Sequence, residues 1–309
     1  MNIAVIDIGT NTFDLLISKI EKGNRQVELH NSKSSVRLGS GIMKKILLDE
    51  AMQRGIDTLK NFKDIIHKFN CSKIYAFATS AVRDASNKQV FIDRVKNETG
   101  IEIRVISGDK EAEYIYSGVK NALDIGNEKS LIMDIGGGSI EFIIANRGNI
   151  FWEESYNIGV ARLLAKFKIS DPIQPEEQSE VEKYLELELT SLFDAVVQYP
   201  IETLIGSSGS FDTFAEVIAN RFYTPKILLN KTEYTFNSDE YLLIHEQLIT
   251  SSLEDRKQTK GIIEMRLDMI VTASVITNFI LKKLNIFKMR LSTYSMKEGI
   301  LWEVMQMVG

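Results

Sequence analysis

The chain has 309 residues, 44% hydrophobic and 26% charged, with 37 Lys and Arg against 42 Asp and Glu. That length suits about two domains, and a net charge of −5 argues against DNA as a partner, because nonspecific duplex binding rests on neutralising phosphates. Cys71 is the only cysteine, which excludes an internal disulfide and a thiolate metal cluster; with no apolar run long enough for a bilayer and no signal peptide, a cytoplasmic protein without a membrane partner is expected.

The N-terminal strand runs through Ile3 to Ile8 and breaks at Asp7-Ile8-Gly9-Thr10-Asn11-Thr12. A second apolar strand, from Leu131, breaks in the same way at Asp134-Ile135-Gly136-Gly137-Gly138-Ser139. Each turn leads into a hairpin, the first turning at residues 22–24 and the second at 146–149. Gly turns of this kind leave backbone N–H groups free to face a phosphate, and a carboxylate beside them can hold a hydrated Mg²⁺. Two copies in matching context predict a duplicated fold with a phosphate cleft between the halves.

Between the copies, apolar residues at Met52, Ile56, Leu59, Phe62, Ile66 and Phe69 have helical spacing over 50–70. A strand is expected at 73–78, a helix at 85–98, a strand at 101–106 and a helix at 110–123. This alternation places the chain in the α/β class. Gly126-Asn127 is the best boundary, giving an N-terminal domain of 1–125 and a C-terminal domain of 126–296. A last helix, about 297–309, is expected to pack back on the first domain. In the second half, helices are expected at 157–167 and, as one long amphipathic element, at 176–197. A strand at 201–205 then meets Gly206-Ser207-Ser208-Gly209-Ser210, followed by a mostly helical remainder.

Four elements can carry chemistry. The two Asp-Gly turns are the first pair, the second of them followed by Glu141; facing carboxylates suit a Mg²⁺ that keeps most of its waters. The third is the loop at 206–210, small residues between a strand and a helix, with the composition of an anion site. The fourth is Ser107-Gly108-Asp109-Lys110-Glu111-Ala112-Glu113 at a strand-to-helix junction, where a carboxylate could accept a proton from an attacking water. Spacing alone does not separate Glu111 from Asp109 or Glu113, and acids in a first helical turn usually serve as caps. Nearby, residues 78–84 end a strand with hydroxyls and Arg83, a group able to clamp phosphate. Lys33, Arg37, Lys44, Lys45 and Arg54 form a candidate cationic wall, for which a solvated face is the blander reading. His30, His67 and His245 sit in no motif.

Together these segments resemble the exopolyphosphatase / guanosine pentaphosphate phosphohydrolase (Ppx/GppA) family, a branch of the superfamily of sugar kinases, heat-shock chaperone ATPases and actin. The resemblance rests on residues 4–12, 37–41, 78–84, 106–112, 134–141, 159–163, 206–210 and 297–299, in family order. It implies two actin-like α/β domains with five-stranded mixed sheets and a closing cleft. It implies Glu111 as the catalytic base, with Arg83 as a cationic contact. Asp7, Asp134 and Glu141 would hold Mg²⁺, several of them through water. Thr10, Asn11, Thr12, Gly136, Gly137, Gly138, Ser139, Ser208 and Gly209 would cradle phosphate.

Two departures bear on substrate. The family commonly reads Glu-Glu-Ala-Arg where this chain has Lys110-Glu111-Ala112-Glu113, so an expected cation has become an acid, which Lys110 compensates in part. Met296-Lys297 stands for a common Leu-Arg, losing planar bidentate geometry. The expected activity is Mg²⁺-dependent hydrolysis of terminal phosphate from short polyphosphate or guanosine pentaphosphate. The alternatives are a kinase or ATPase of the same superfamily, and a catalytically weak sensor of guanosine tetra- or pentaphosphate. Base rates allow a homodimer.

Overall fold

The computed structural model describes residues 1–21 and 25–308; the turn expected at 22–24 lies outside them. The chain forms two compact units. The first consists of Met1–Gly118, Gly136–Gly138 and Met296–Gly309, the second of Val119–Ile135 and Ser139–Ser295.

The first unit is built on β1 (Asn2–Ile8), β2 (Thr12–Glu21), β3 (Arg25–Ser35), α1 (Asp49–Lys68), β4 (Lys73–Ala78), α2 (Ser80–Arg83), α3 (Lys88–Thr99), β5 (Ile103–Val105) and α4 (Gly108–Ala122). Its five strands lie in the order β3-β2-β1-β4-β5. β1 pairs antiparallel with β2 and parallel with β4. Being central and covered on both faces, it reads as an unbroken apolar run, with Ile3 to Ile6 fully buried. α1 lays Met52, Ile56, Leu59, Phe62 and Ile66 into the core, the stripe its spacing predicts; Phe69 lies past its end.

The second unit contains β6 (Ser130–Ile135), β7 (Ile140–Ala145), β8 (Ile150–Tyr156), α5 (Val160–Phe167), α6 (Pro175–Glu188), α7 (Thr190–Gln198), β9 (Thr203–Ser207), α8 (Gly209–Phe222), β10 (Glu233–Phe236), α9 (Ser238–Thr250), α10 (Leu253–Gln258), α11 (Ile270–Lys283) and β11 (Lys288–Ser292). Its order is β10-β11-β9-β6-β7-β8. Read from β8 to β11, this repeats the first sheet strand for strand. The molecule is therefore the duplicated, actin-like α/β fold expected. The second sheet has six strands, not five, because β10 adds antiparallel to β11 at its edge. β10 is four residues long and β11 five, too short for their alternation to stand out from the helices around them.

The helix expected over 176–197 is two helices. The chain leaves helical geometry at Leu189 (φ −98°, ψ 19°), where the Thr190 hydroxyl donates to the Leu187 carbonyl at 3.0 Å. Val181, Leu185, Leu189 and Leu192 are all fully buried, so the apolar stripe runs on through the break and conceals it.

The last helix, α12 (Met296–Val308), belongs to the first unit. Its Gly299 lies so close to the Tyr114 carbonyl of α4 that an added Cβ would overlap it. Gly299→Ala should force these helices apart, at roughly 1–3 kcal/mol for overpacking. Thermal denaturation should register this as a fall in Tm of about 2 °C or more; an unchanged Tm would mean that the contact is not tight.

Candidate functional site

In the first unit, β1 and β2 set Asp7 directly opposite Asp14. The turn between them closes with Gly9 N–H donating to Thr12 O at 3.1 Å, and a side chain at Gly9 would strike that oxygen. A second segment steadies the turn. Val36 and Arg37 donate to Asn11 O, and Gly39 donates to Thr10 O. Asp14 is 6% exposed and takes three partners: the Thr12 hydroxyl, Lys33 Nζ at 3.2 Å and Lys297 Nζ at 4.0 Å. A buried carboxylate needs such compensation.

Gly136–Gly138 group with this first unit. A Cβ at Gly137 would run into the Asn11 amide, and one at Gly138 into the hydroxyls of Thr10 and Ser80. The two glycine turns singled out by their repeated sequence are thus in contact. Only residues without side chains allow that approach.

Glu111 stands in the first turn of α4. Ser107 precedes that helix, its Oγ accepting from Lys110 N–H. The three acids that spacing could not separate differ sharply in setting. Glu111 is 8% exposed and accepts from Arg83 Nη1 at 2.7 Å. Glu113 is exposed and pairs with Lys110, and Asp109 is exposed. Arg83, at the end of α2, also reaches Asp84 at 3.8 Å and the Ile106 carbonyl.

Lys110 does not stand free to replace the missing cation. Its Nζ lies 2.9 Å from both Glu113 and Glu303 of α12 and above the Tyr114 ring. Burial works against its charge, but the two carboxylates outweigh this and hold its pKa well above the ordinary value. Burial, and then the bond to Glu303, pushes the Tyr114 hydroxyl up to about 12. In the candidate wall, Lys33 is engaged with Asp14, and Arg54 donates to the carbonyls of Val36 and Arg37. Lys44 and Lys45 are exposed, as the blander reading has it.

In the second unit, four neighbouring strands set a polar row across one face of the sheet. Their register places Ser155 opposite Glu141, Glu141 opposite Asp134, and Asp134 opposite Ser207. Side chains paired this way share a face. Ser155 Oγ donates to Glu141 at 2.6 Å, and Ser207 Oγ donates to Asp134 Oδ2 at 2.6 Å. Ser295 Oγ donates to the same Asp134 oxygen. Asp134 is 7% exposed and Glu141 1%, and Asp134 makes no ion pair among the described residues.

Ser139 is buried. Ser208 caps α8 in the left-handed region (φ 69°), its hydroxyl donating to Ile135 O at 3.1 Å. Gly209 lies against the guanidinium of Arg266, which a side chain there would displace. The sequence reading missed Asp14, Ser155, Ser295 and Arg266, and did not pair Lys297 with Asp14. Only strand pairing or tertiary contact brings them to these positions, although Ser155 could have been found by counting register along the predicted hairpin.

Among the described residues, no three His, Cys, Asp or Glu side chains are grouped to hold a metal. Asp134 and Glu141, hard oxygen donors in small number, suit a hydrated divalent cation such as Mg²⁺, which usually keeps several of its waters.

Comparison with known proteins agrees with this geometry. A solved structure described as an exopolyphosphatase from Cytophaga hutchinsonii matches with a TM-score of 0.96 and 40% identity, covering 100% of this chain and 99% of that one. A bifunctional 3-dehydroquinate synthase/phosphatase of Fusobacterium nucleatum is 34% identical over 292 residues, 90% of this chain and 43% of that protein. A guanosine-5'-triphosphate,3'-diphosphate pyrophosphatase of Photobacterium profundum is 27% identical, over 98% of this chain and 59% of that protein. The chain thus spans about half the length of these two curated relatives. A family model described as Ppx/GppA phosphatase family matches residues 16–307, and the chain belongs to that family.

Proposed function

We propose that this protein is a Mg²⁺-dependent phosphoanhydride hydrolase that releases terminal phosphate from short inorganic polyphosphate or guanosine pentaphosphate. The observation that carries the reading is Glu111: a nearly buried carboxylate at a helix start, held at 2.7 Å by Arg83. Hydrolysis of a phosphoanhydride needs an oriented water and a proton acceptor. The Arg83 guanidinium would also contact a substrate phosphate. Glu111 takes the proton from the attacking water. Backbone N–H groups at Thr10–Thr12 and at Gly136–Gly138 receive phosphate oxygens, with Ser139, Ser208 and Gly209 serving the same purpose in the second unit.

Asp134 and Glu141 would hold Mg²⁺, which would supply charge neutralisation on the phosphates when bound. The cross-strand register supports this assignment. Opposed carboxylates about 5 Å apart repel by roughly 3 kcal/mol at an effective dielectric constant of 20. Hydroxyl donors from Ser155, Ser207 and Ser295 orient the pair. At the first unit's equivalent pair, Lys33 and Lys297 lie against Asp14.

Glu111→Gln should cut phosphate release by about 10²-fold or more while the fold persists; near-normal turnover would remove Glu111 from the mechanism. In EDTA-treated protein, added Mg²⁺ should raise the Tm of the parent, and Glu141→Gln should lose that rise. Identical Mg²⁺ responses in both proteins would defeat the metal assignment. Glu113→Arg should shift relative activity toward long polyphosphate, because the cluster of Lys110 with residues 113 and 303, net negative in the parent, would become net positive. A chain-length profile that does not move would show that this cluster does not select substrate.

A further inference from the structure

Arg54, on α1, is exposed and makes no ion pair among the described residues. Its guanidinium meets backbone instead. Nε donates to the Val36 carbonyl at 2.9 Å, and Nη2 donates to the Arg37 carbonyl at 3.2 Å and to Ser40 Oγ at 3.4 Å. Side chains commonly bond to whatever backbone is near, but two observations are out of keeping with that bland reading.

The first is strain. Arg37 lies in the left-handed region (φ 51°, ψ 48°), which a residue with a side chain adopts rarely. Such backbone persists where its surroundings fix it, and it gathers at functional sites. The Arg37 carbonyl also accepts from the Ser40 hydroxyl at 2.6 Å.

The second is where the peptides lead. The Val36 carbonyl and the Arg37 N–H belong to one peptide unit. That N–H donates to the Asn11 carbonyl at 2.8 Å, which accepts from Val36 N–H as well, at 2.9 Å. The Asn11 carbonyl in turn shares its peptide with the Thr12 N–H. Gly39 N–H donates to the Thr10 carbonyl at 2.8 Å, whose peptide carries the Asn11 N–H, and a Cβ at Gly39 would overlap the Thr10 methyl. A cation on the Val36 carbonyl thus sits at the head of a chain of peptides that ends on N–H groups of the glycine turn. Hydrogen bonds in such chains strengthen one another by about 10–30% per bond, so the larger part of the effect is geometric.

We propose that Arg54 is a positioning residue for phosphate: through the peptide of Val36 and Arg37 it fixes the turn at Thr10–Thr12 and sharpens the Thr12 N–H as a donor to a phosphate oxygen. The inference rests on the assignment of that turn to phosphate made above. A lysine would carry the charge but not the planar fork that spans two successive carbonyls.

Arg54→Ala and Arg54→Lys are compared with the parent by steady-state phosphate release from tripolyphosphate with Mg²⁺, and by NMR of backbone amides during titration with inorganic phosphate. A loosened turn binds ground state and transition state less well alike. KM should therefore rise about 10-fold in Arg54→Ala, with kcat within about 3-fold of the parent. Mere loss of folded protein would lower kcat and leave KM in place. Arg54→Lys should fall between the two, and millimolar ethylguanidinium should restore part of the KM of Arg54→Ala without affecting the parent. Inorganic phosphate should move the Thr12 amide resonance of the parent, and its Kd should be about 10-fold weaker in Arg54→Ala. Should the parent release no phosphate, the function proposed above falls, and the phosphate titration still decides the role of Arg54. A fall in kcat alone, equal phosphate affinity in parent and Arg54→Ala, or a Thr12 amide in the parent that phosphate does not move would each overturn the proposal.

Discussion

Two antiparallel hairpins each set a carboxylate directly across from another: Asp7 against Asp14, and Asp134 against Glu141. Buried like charges at cross-strand distance are unfavourable unless something answers them. Much of the chemistry in this molecule can be traced to how that requirement is met. In the first unit the answer is permanent, since Lys33 and Lys297 lie against Asp14. In the second, the hydroxyl groups of Ser155 and Ser207 donate to the two acids. The duplicated fold has thus kept its acids in both halves while giving them different partners.

How much of this could be read in the sequence follows from the range of the interactions. Asp7 and Asp134 were legible because an acid at a strand end followed by glycine is a local pattern. Asp14 was not. It reads as one polar residue inside a hairpin strand, and its partner Lys297 comes from the other end of the chain. Glu111 could be placed in a group of three acids but not chosen from them by spacing. What distinguishes it is depth of burial and the Arg83 contact, neither of which is encoded within the segment itself. At the fold level, long periodic elements such as α1 were plain, while β10 and β11 escaped by brevity. The break at Leu189 escaped because the core-facing stripe does not notice it.

Lys110 illustrates why residue identity alone is an unsafe guide to electrostatics. Counted along the chain, it is a cation next to a candidate base. In three dimensions it is the hub of an ionic cluster with Glu113, Glu303 and the Tyr114 ring. With one positive and two negative members, the cluster contributes net negative charge beside the base. Half-exposed groups of this kind contribute little to stability, yet they set which polyanions approach comfortably.

The first unit is assembled from both ends of the polypeptide, with Met296–Gly309 joining Met1–Gly118. A ribosome must therefore add about 180 residues after the first stretch emerges before α12 can reach its place. At bacterial-like rates of 5–20 residues per second that interval is roughly 10–40 s. Throughout it, β2 holds Asp14 without Lys297, and α4 lacks the helix that covers Gly118 and Tyr114. Until α12 has emerged the first unit lacks part of its own residues, whereas the second unit, continuous in its larger part, is already complete.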